Sequence, residues 1–185
     1  MKMKRALLAA TFAFGLAGTA FAAMSGTVMV GGAPMYPTKN IVQNAVNSKD
    51  NTTLVAAVKA AGLVPALEGK GPFTVFAPTN EAFNRLPAGT VPTLLKPANK
   101  AELKSILLYH VVPGDYTFRA LTALIRGHGG KAMLKTLNGA PLTFTMNGPH
   151  NIVVTDAKGG SANIIIYNVK QSNGVIQVIN RVLMP

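Results

Sequence analysis

The chain has 185 residues, including 18 Lys and Arg against 6 Asp and Glu, a net charge of +12 and no cysteine. This length suits one domain with a buried hydrophobic core, which must form without disulfides. The basic residues are scattered singly rather than in a stripe that alternates with aromatic residues, so nucleic-acid binding is not expected. A dispersed positive charge instead favours attraction to anionic surfaces.

The first 22 residues have the pattern of a secretory signal peptide. Residues 1–5 carry three basic side chains, residues 6–21 are apolar, and residues 20–22 form an A-x-A cleavage site. Cleavage there would lower the net charge from +12 to +9, because those three basic residues would be lost. An uncleaved membrane anchor is the alternative, but the apolar run is short for a membrane span. We therefore expect a protein without a transmembrane anchor, in the periplasm or outside the cell.

Residues 23–37 contain several Gly and Pro residues and are predicted to form a flexible lead-in. A single domain is expected over residues 38–185. Thr38 can cap a first amphipathic helix, and a second helix is predicted over about residues 52–61. Two helices before the first well-defined strand indicate that helices cover part of a sheet.

A predicted strand then turns directly into a short helix. Residues 73–77 are rich in strand-favouring side chains, a proline follows, and Thr79 suits the N-cap of a helix. Thr79, Asn80 and Glu81 are therefore expected at one rim of the fold. Their simplest role is to cap this corner, and the alternative is direct contact with a ligand.

The next segment predicts a helix and a short strand. Asn99 and Glu102 have the spacing of a capping box, and residues 109–112 indicate a strand. Neighbouring side chains on a strand face opposite sides, so Tyr109 and His110 would be separated. A buried His must have its ring nitrogens paired, which favours a structural role for His110 over contact with a partner.

From residue 131 the hydrophobic period changes from about four to two. Asn-Gly pairs at residues 138–139, 147–148 and 173–174 predict tight turns between antiparallel strands. The last strand is predicted over residues 175–184. Helices before residue 130 and strands after it indicate an α+β fold.

Three of these segments resemble signatures of the fasciclin-like domain family. They are Thr74–Phe83, Leu107–Gly114 and Asn173–Pro185, in the family's order, and the match extends over about Thr38–Pro185. The short, single-domain, exported form resembles the bacterial members. The resemblance implies a wedge of about seven largely antiparallel strands flanked by several short helices. It also implies a role in adhesion or surface association outside the cytoplasm.

The resemblance further marks positions associated with binding. It carries Tyr109 and His110 as adhesion-associated positions. Animal members use an Asp followed by an aliphatic residue for cell-receptor binding, and the matching positions here are Asn168 and Val169. Without that carboxylate an integrin-bound metal lacks its acidic ligand, so an integrin-type receptor is doubtful. Gln177 also stands where the family usually has His.

No sequence pattern points to catalytic, cofactor-binding or metal-binding residues. No two His are three or four residues apart, and neither a G-x-S-x-G motif nor a complete phosphate loop occurs. The first hypothesis is a non-enzymatic module that binds a cell-surface protein or an anionic envelope polysaccharide. The second is a periplasmic small-ligand carrier, whose apolar pocket Phe83, Tyr116 and Phe118 could line, although aromatic residues at these positions are more often part of the core. A hydrolase of an anionic polymer is disfavoured, because acids and histidines are few.

Overall fold

The computed structural model describes residues 26–185, and the predicted signal peptide lies outside the described residues. Within this range the helices are α1 (Ile41–Ala45), α2 (Thr52–Ala61), α3 (Val64–Leu67), α4 (Asn80–Asn84), α5 (Thr90–Leu94), α6 (Lys100–Tyr109) and α7 (Phe118–Gly127). The strands are β1 (Val28–Val30), β2 (Ala33–Met35), β3 (Phe73–Pro78), β4 (Val111–Pro113), β5 (Lys131–Lys135), β6 (Pro141–Met146), β7 (Ile152–Thr155), β8 (Ser161–Gln171) and β9 (Gly174–Ile179). The predicted α+β class is confirmed.

Seven of the strands form one sheet in the order β4-β3-β9-β8-β7-β6-β5. Strands β5 to β9 follow one another as antiparallel neighbours, and Asn-Gly pairs lie in three of the four turns between them, as predicted. The exception to the antiparallel pattern is the pairing of β3 with β9, which runs from Phe73 opposite Gly174 to Pro78 opposite Ile179. This parallel pair connects the helical first part of the domain to the end of the chain.

The sheet separates two hydrophobic clusters. Successive side chains of a strand point to opposite faces, so Val75 and Ala77 join one cluster and Phe76 joins the other. Buried residues of α1 to α6 cover the first cluster. The second lies beneath α7, which contributes Leu121 and Ile125. Both faces are covered here, which explains why β3 and β9 have almost continuously buried side chains.

The prediction of a flexible lead-in is wrong for residues 28–35. These residues form the β1–β2 hairpin, in which Val30 and Met35 are buried against the first cluster. Gly31 and Gly32 occupy the turn with φ angles of 57° and 73°, the backbone conformation that a two-residue hairpin turn requires. The glycines therefore mark a tight turn between two strands.

One predicted N-cap is wrong, and one predicted capping box does not form. The N-cap of α1 is Asn40 rather than Thr38, and Asn40 and Gln43 cap each other's backbone N–H groups. Asn99 is the N-cap residue of α6, as predicted, but its side chain makes no capping hydrogen bond, and its amide nitrogen donates to the carbonyl oxygen of Thr93. The Asn-x-x-Glu spacing therefore occurs here without the reciprocal hydrogen bonds of a capping box.

The strand predicted over residues 109–112 begins later. Tyr109 is the last residue of α6, His110 is its C-cap, and β4 starts at Val111. The β-branched residues at 111 and 112 favour a strand, but the leucine-rich helix before them continues through Tyr109. At the other end, β9 stops at Ile179 instead of continuing to residue 184.

Asn173, in the turn between β8 and β9, connects three other elements. Its side-chain oxygen accepts a hydrogen bond from the Ile41 N–H at 3.0 Å. Its side-chain nitrogen donates to the carbonyl oxygens of Leu67 and Gly69 at 2.8 and 2.9 Å. The chains cross so closely here that a Cβ on Gly174 would overlap the Phe73 carbonyl oxygen. The turn is therefore fixed against α1, α3 and the start of β3.

We expect Asn173→Ala to lower the free energy of unfolding by about 3 kcal/mol, because it leaves buried backbone groups of Ile41 and Leu67 without partners. Urea unfolding monitored by circular dichroism measures this change. Asn47→Ala is the matched control, since Asn47 is exposed and donates a single hydrogen bond to Gln43. Equal stability losses in the two variants would contradict the anchoring role of Asn173.

Candidate functional site

Thr79, Asn80 and Glu81 occupy the rim where β3 turns into α4. The Thr79 hydroxyl accepts a hydrogen bond from the Ala82 N–H, as expected of the N-cap of α4. Glu81 forms an ion pair with Arg85 at 2.6 Å, and three quarters of its side chain is exposed. Of these three residues, Glu81 is the one that presents a charged group to the solvent.

Asn80 connects this rim to the beginning of α2. Its side-chain oxygen accepts hydrogen bonds from the Thr53 N–H at 3.0 Å and the Thr52 hydroxyl at 3.2 Å. Its side-chain nitrogen donates to the Lys49 carbonyl oxygen at 2.8 Å. Asn51, the residue before α2, makes no side-chain cap, so Asn80 supplies a cap from another element. The Asn80 amide is thus occupied within the protein.

Tyr109 lies in the second hydrophobic cluster with its ring fully buried. Its hydroxyl donates to the Pro141 carbonyl oxygen and accepts from the Ala157 N–H, both at 2.9 Å. Burial raises the pKa of Tyr109 above its ordinary value, so the hydroxyl keeps the proton that it donates. Tyr109 therefore ties the end of α6 to β6 and to the β7–β8 turn.

His110 is buried, and both of its ring nitrogens are hydrogen-bonded. Nδ1 lies 2.8 Å from the Ile106 carbonyl oxygen, and Nε2 lies 3.0 Å from the Leu183 backbone nitrogen. A carbonyl can only accept and an N–H can only donate, so the ring is neutral with its proton on Nδ1. Burial lowers the pKa of His110 from 6.5 to about 4, which agrees with this neutral form. His110 holds the C-terminal segment against α6.

Asn168 and Val169 lie in an irregular part of β8. The register with β9 shifts between Ile164 and Val169, and Asn168 adopts a φ of 58°. The Asn168 side-chain oxygen accepts from the Phe118 N–H at 2.7 Å, and its backbone N–H donates to the Gln177 side chain. The Val169 side chain is buried. Through its hydrogen bond with Phe118, Asn168 positions the start of α7.

The seven predicted site residues therefore do not converge on one place. Thr79 to Glu81 lie at the end of β3, Tyr109 and His110 lie inside the fold at the end of α6, and Asn168 and Val169 lie in β8. In the described range 26–185, no group of three or more His, Asp or Glu residues is placed to hold a metal ion. The family signatures thus mark buried or structurally bonded positions, and Glu81 is the exposed exception.

Phe83, Tyr116 and Phe118 lie in or against the two hydrophobic clusters, as expected for core residues. Phe83 belongs to the first hydrophobic cluster, and Phe118 packs edge-on against Tyr167 with ring centroids 5.0 Å apart. An apolar cavity of about 60 Å³ lies between the helices and the sheet. Its lining includes Val30, Met35, Leu54, Val58, Leu107 and Ile176.

A second depression is polar and was not predicted from the sequence. It has a volume of about 300 Å³ and is lined by Lys70, Pro72, Asp115 and residues 170–174. We call it the β8–β9 cleft. Its residues come from three separate segments, so no local motif marks them, and only the pairing of β3 with β9 brings Lys70 beside the turn.

The hydrogen bonds of the rim predict different effects for neighbouring residues. Asn80→Ala should lower the free energy of unfolding by about 1–2 kcal/mol, because α2 loses its cap. Glu81→Gln should change it by less than about 1 kcal/mol, because the ion pair with Arg85 is exposed. Urea unfolding of both variants tests this. An unchanged stability for Asn80→Ala would contradict the capping role.

The pKa of His110 predicts acid sensitivity. The folded-state pKa lies below the unfolded value of 6.5, so the unfolded chain binds the extra proton and stability falls as the pH drops. We expect the free energy of unfolding to decrease by about 3 kcal/mol between pH 6.5 and 4 through this group. His110→Gln should reduce that decrease, although it lowers stability at neutral pH, and His150→Gln, at an exposed position, should not. If the free energy of unfolding depended on pH in the same way in the unmodified chain and in both variants, His110 would not be the group responsible.

Sequence comparisons match this chain to known proteins. The family model of the fasciclin domain matches residues 49–185. Protein sll1483 of Synechocystis sp. is 43% identical, over 94% of this chain and 91% of that protein. Immunogenic protein MPB70 of Mycobacterium bovis is 34% identical, over 100% of this chain and 99% of that protein. Transforming growth factor-beta-induced protein ig-h3 of Sus scrofa is 40% identical, over 71% of this chain and 17% of that protein.

The fold is also similar to that of a solved structure, a FAS1 domain pair from the insect cell adhesion molecule Fasciclin I. The TM-score is 0.71 at 18% sequence identity, and the match covers 80% of this chain. Our chain spans about half of that chain, 51% of its length. The architecture and the sequence matches agree: this protein belongs to the fasciclin domain family.

Proposed function

We propose that this protein is a non-enzymatic binding module that mediates adhesion or surface association outside the cytoplasm. The observation that carries the proposal is family membership across most of the chain, with 43% identity to a bacterial relative. The solved domain pair with the similar fold comes from a protein described as a cell adhesion molecule. The predicted signal peptide supports a location in the periplasm or outside the cell.

The charge of the surface supports an anionic partner. All Lys and Arg residues within 26–185 are exposed except Lys170, which is half-buried. Of the few acids, Asp156 is buried, and Glu81 and Asp115 are paired with basic side chains. The surface therefore carries a large excess of positive charge, which attracts anionic envelope polysaccharide or acidic cell-surface protein.

No helix within the described range is long and apolar enough to cross a membrane. We propose that attachment to a surface occurs through binding contacts of the domain. Glu81 and the exposed basic residues are among the groups that can make such contacts, whereas Tyr109, His110 and Val169 are buried. The buried residues stabilise the fold, and the exposed residues can contact a partner.

The small-ligand carrier receives less support. Sites for small molecules usually have volumes of about 300–1,000 Å³. The apolar cavity between the helices and the sheet has about 60 Å³, so a ligand of ordinary size would have to displace α1 or α2. A lipid or other apolar compound that copurifies with the protein in equal amount would favour the carrier.

Binding of the purified protein to isolated cell envelopes, titrated across salt concentration, tests the proposal. We expect saturable binding that weakens with salt but persists near 1 M, where the Debye length is about 3 Å and exposed ionic contacts are screened. Heat-unfolded protein of the same net charge is the control. Binding that never saturates and disappears with salt in both samples would contradict a specific module, because charge alone would explain it.

A further inference from the structure

We infer that the β8–β9 cleft is a binding site for a singly charged sugar unit of an anionic polysaccharide. This inference rests on the proposed surface association and assigns it a site and a partner class. At about 300 Å³ the cleft is at the lower end of the range for ligand sites, which suits one sugar ring. The cleft is partly open to the solvent, so a polymer can continue beyond it.

The floor of the cleft is rigid, because its inward polar groups are already bonded. Asn173 bonds to Ile41, Leu67 and Gly69 through its side chain. The Gln171 side chain accepts from Asn44 and donates to the Val169 carbonyl oxygen. A ligand would therefore meet a preformed surface and would not have to order the turn on binding.

Four side chains remain available in the cleft. Lys70 and Ser172 are exposed, and Lys170 pairs with Asp115 at 2.8 Å with more than two fifths of each side chain exposed. Such an exposed pair is weak, so Lys170 can share its hydrogen bonds with a ligand. The two ammonium groups and one carboxylate leave a single positive charge in the cleft.

This set of groups indicates the ligand chemistry. The ammonium groups donate hydrogen bonds to an anion, whereas the Asp115 carboxylate only accepts them and repels dense negative charge. A bare polyanion would use the lysines but be opposed by Asp115. A uronic acid unit offers one carboxylate to the lysines and hydroxyl donors to Asp115, so it uses the whole set.

Lys70 and Lys170 lie on the two sides of the turn, far from Lys131 and Lys135 on the opposite edge strand β5. The chain thus provides a charge-matched control. The double variant K70Q/K170Q removes two charges from the cleft, and K131Q/K135Q removes two exposed charges from β5. Urea unfolding should give similar midpoints for both variants.

The test measures the Kd of these proteins for polygalacturonate, with dextran sulfate and neutral dextran as comparison polymers. We expect K70Q/K170Q to bind polygalacturonate at least tenfold more weakly and K131Q/K135Q to stay within about threefold of the unmodified chain. Asp115→Asn should strengthen binding of dextran sulfate more than that of polygalacturonate, because it removes the repulsive charge. Weakening of equal size in both double variants would overturn the site, because binding would follow net charge.

Binding to isolated envelopes, measured with the same proteins, separates the two proposals. If the unmodified chain binds envelopes and K70Q/K170Q binds them equally well, the cleft assignment is wrong and surface association stands. If the chain binds polygalacturonate through the cleft but does not bind envelopes, the cleft assignment stands and surface association is wrong. Equal affinity of the unmodified chain for neutral dextran and polygalacturonate would also overturn the predicted charge recognition.

Discussion

The fold depends on pairing the backbone groups that become buried where separate segments cross. Secondary structure cannot satisfy these groups, because they lie at helix ends and turns. Side-chain amides and one imidazole form hydrogen bonds with these backbone groups instead. Asn173 bonds to three backbone groups, Asn80 caps α2 from another element, and His110 connects α6 to Leu183. Each of these side chains joins segments that are distant in the sequence, so each specifies tertiary structure rather than local conformation.

This constraint explains why the family signatures coincide with buried positions. The segment that contains Tyr109 and His110 has two polar side chains in the core, and each connects two backbone groups. Replacing either would leave unpaired polar groups in a region of low dielectric constant, which is costly. Signatures of this kind identify the fold reliably, and they say little about the surface that binds a partner.

The sequence predicted the parts of the fold that local patterns determine. Alternating hydrophobic residues and Asn-Gly turns indicated the antiparallel strands after residue 130, and Thr79 was a correct N-cap. The errors arose where distant contacts decided the outcome. Asn99 had a capping-box neighbour yet bonded to Thr93, and residues 28–35 became a hairpin because their apolar side chains reach the core. The β8–β9 cleft could not be predicted, because Lys70, Asp115 and Lys170 meet only after β3 and β9 have paired.

The parallel pairing of β3 with β9 also has a consequence for how the chain folds. Phe73–Pro78 is an apolar, strand-forming segment, yet its partner strand begins 101 residues later in the chain, since Phe73 pairs with Gly174. Contacts between segments so far apart form slowly, because the long intervening loop must close first. Until then the edge of β3 is unpaired and available to other chains. A chaperone that covers this segment would therefore prevent aggregation during the time before β3 pairs with β9.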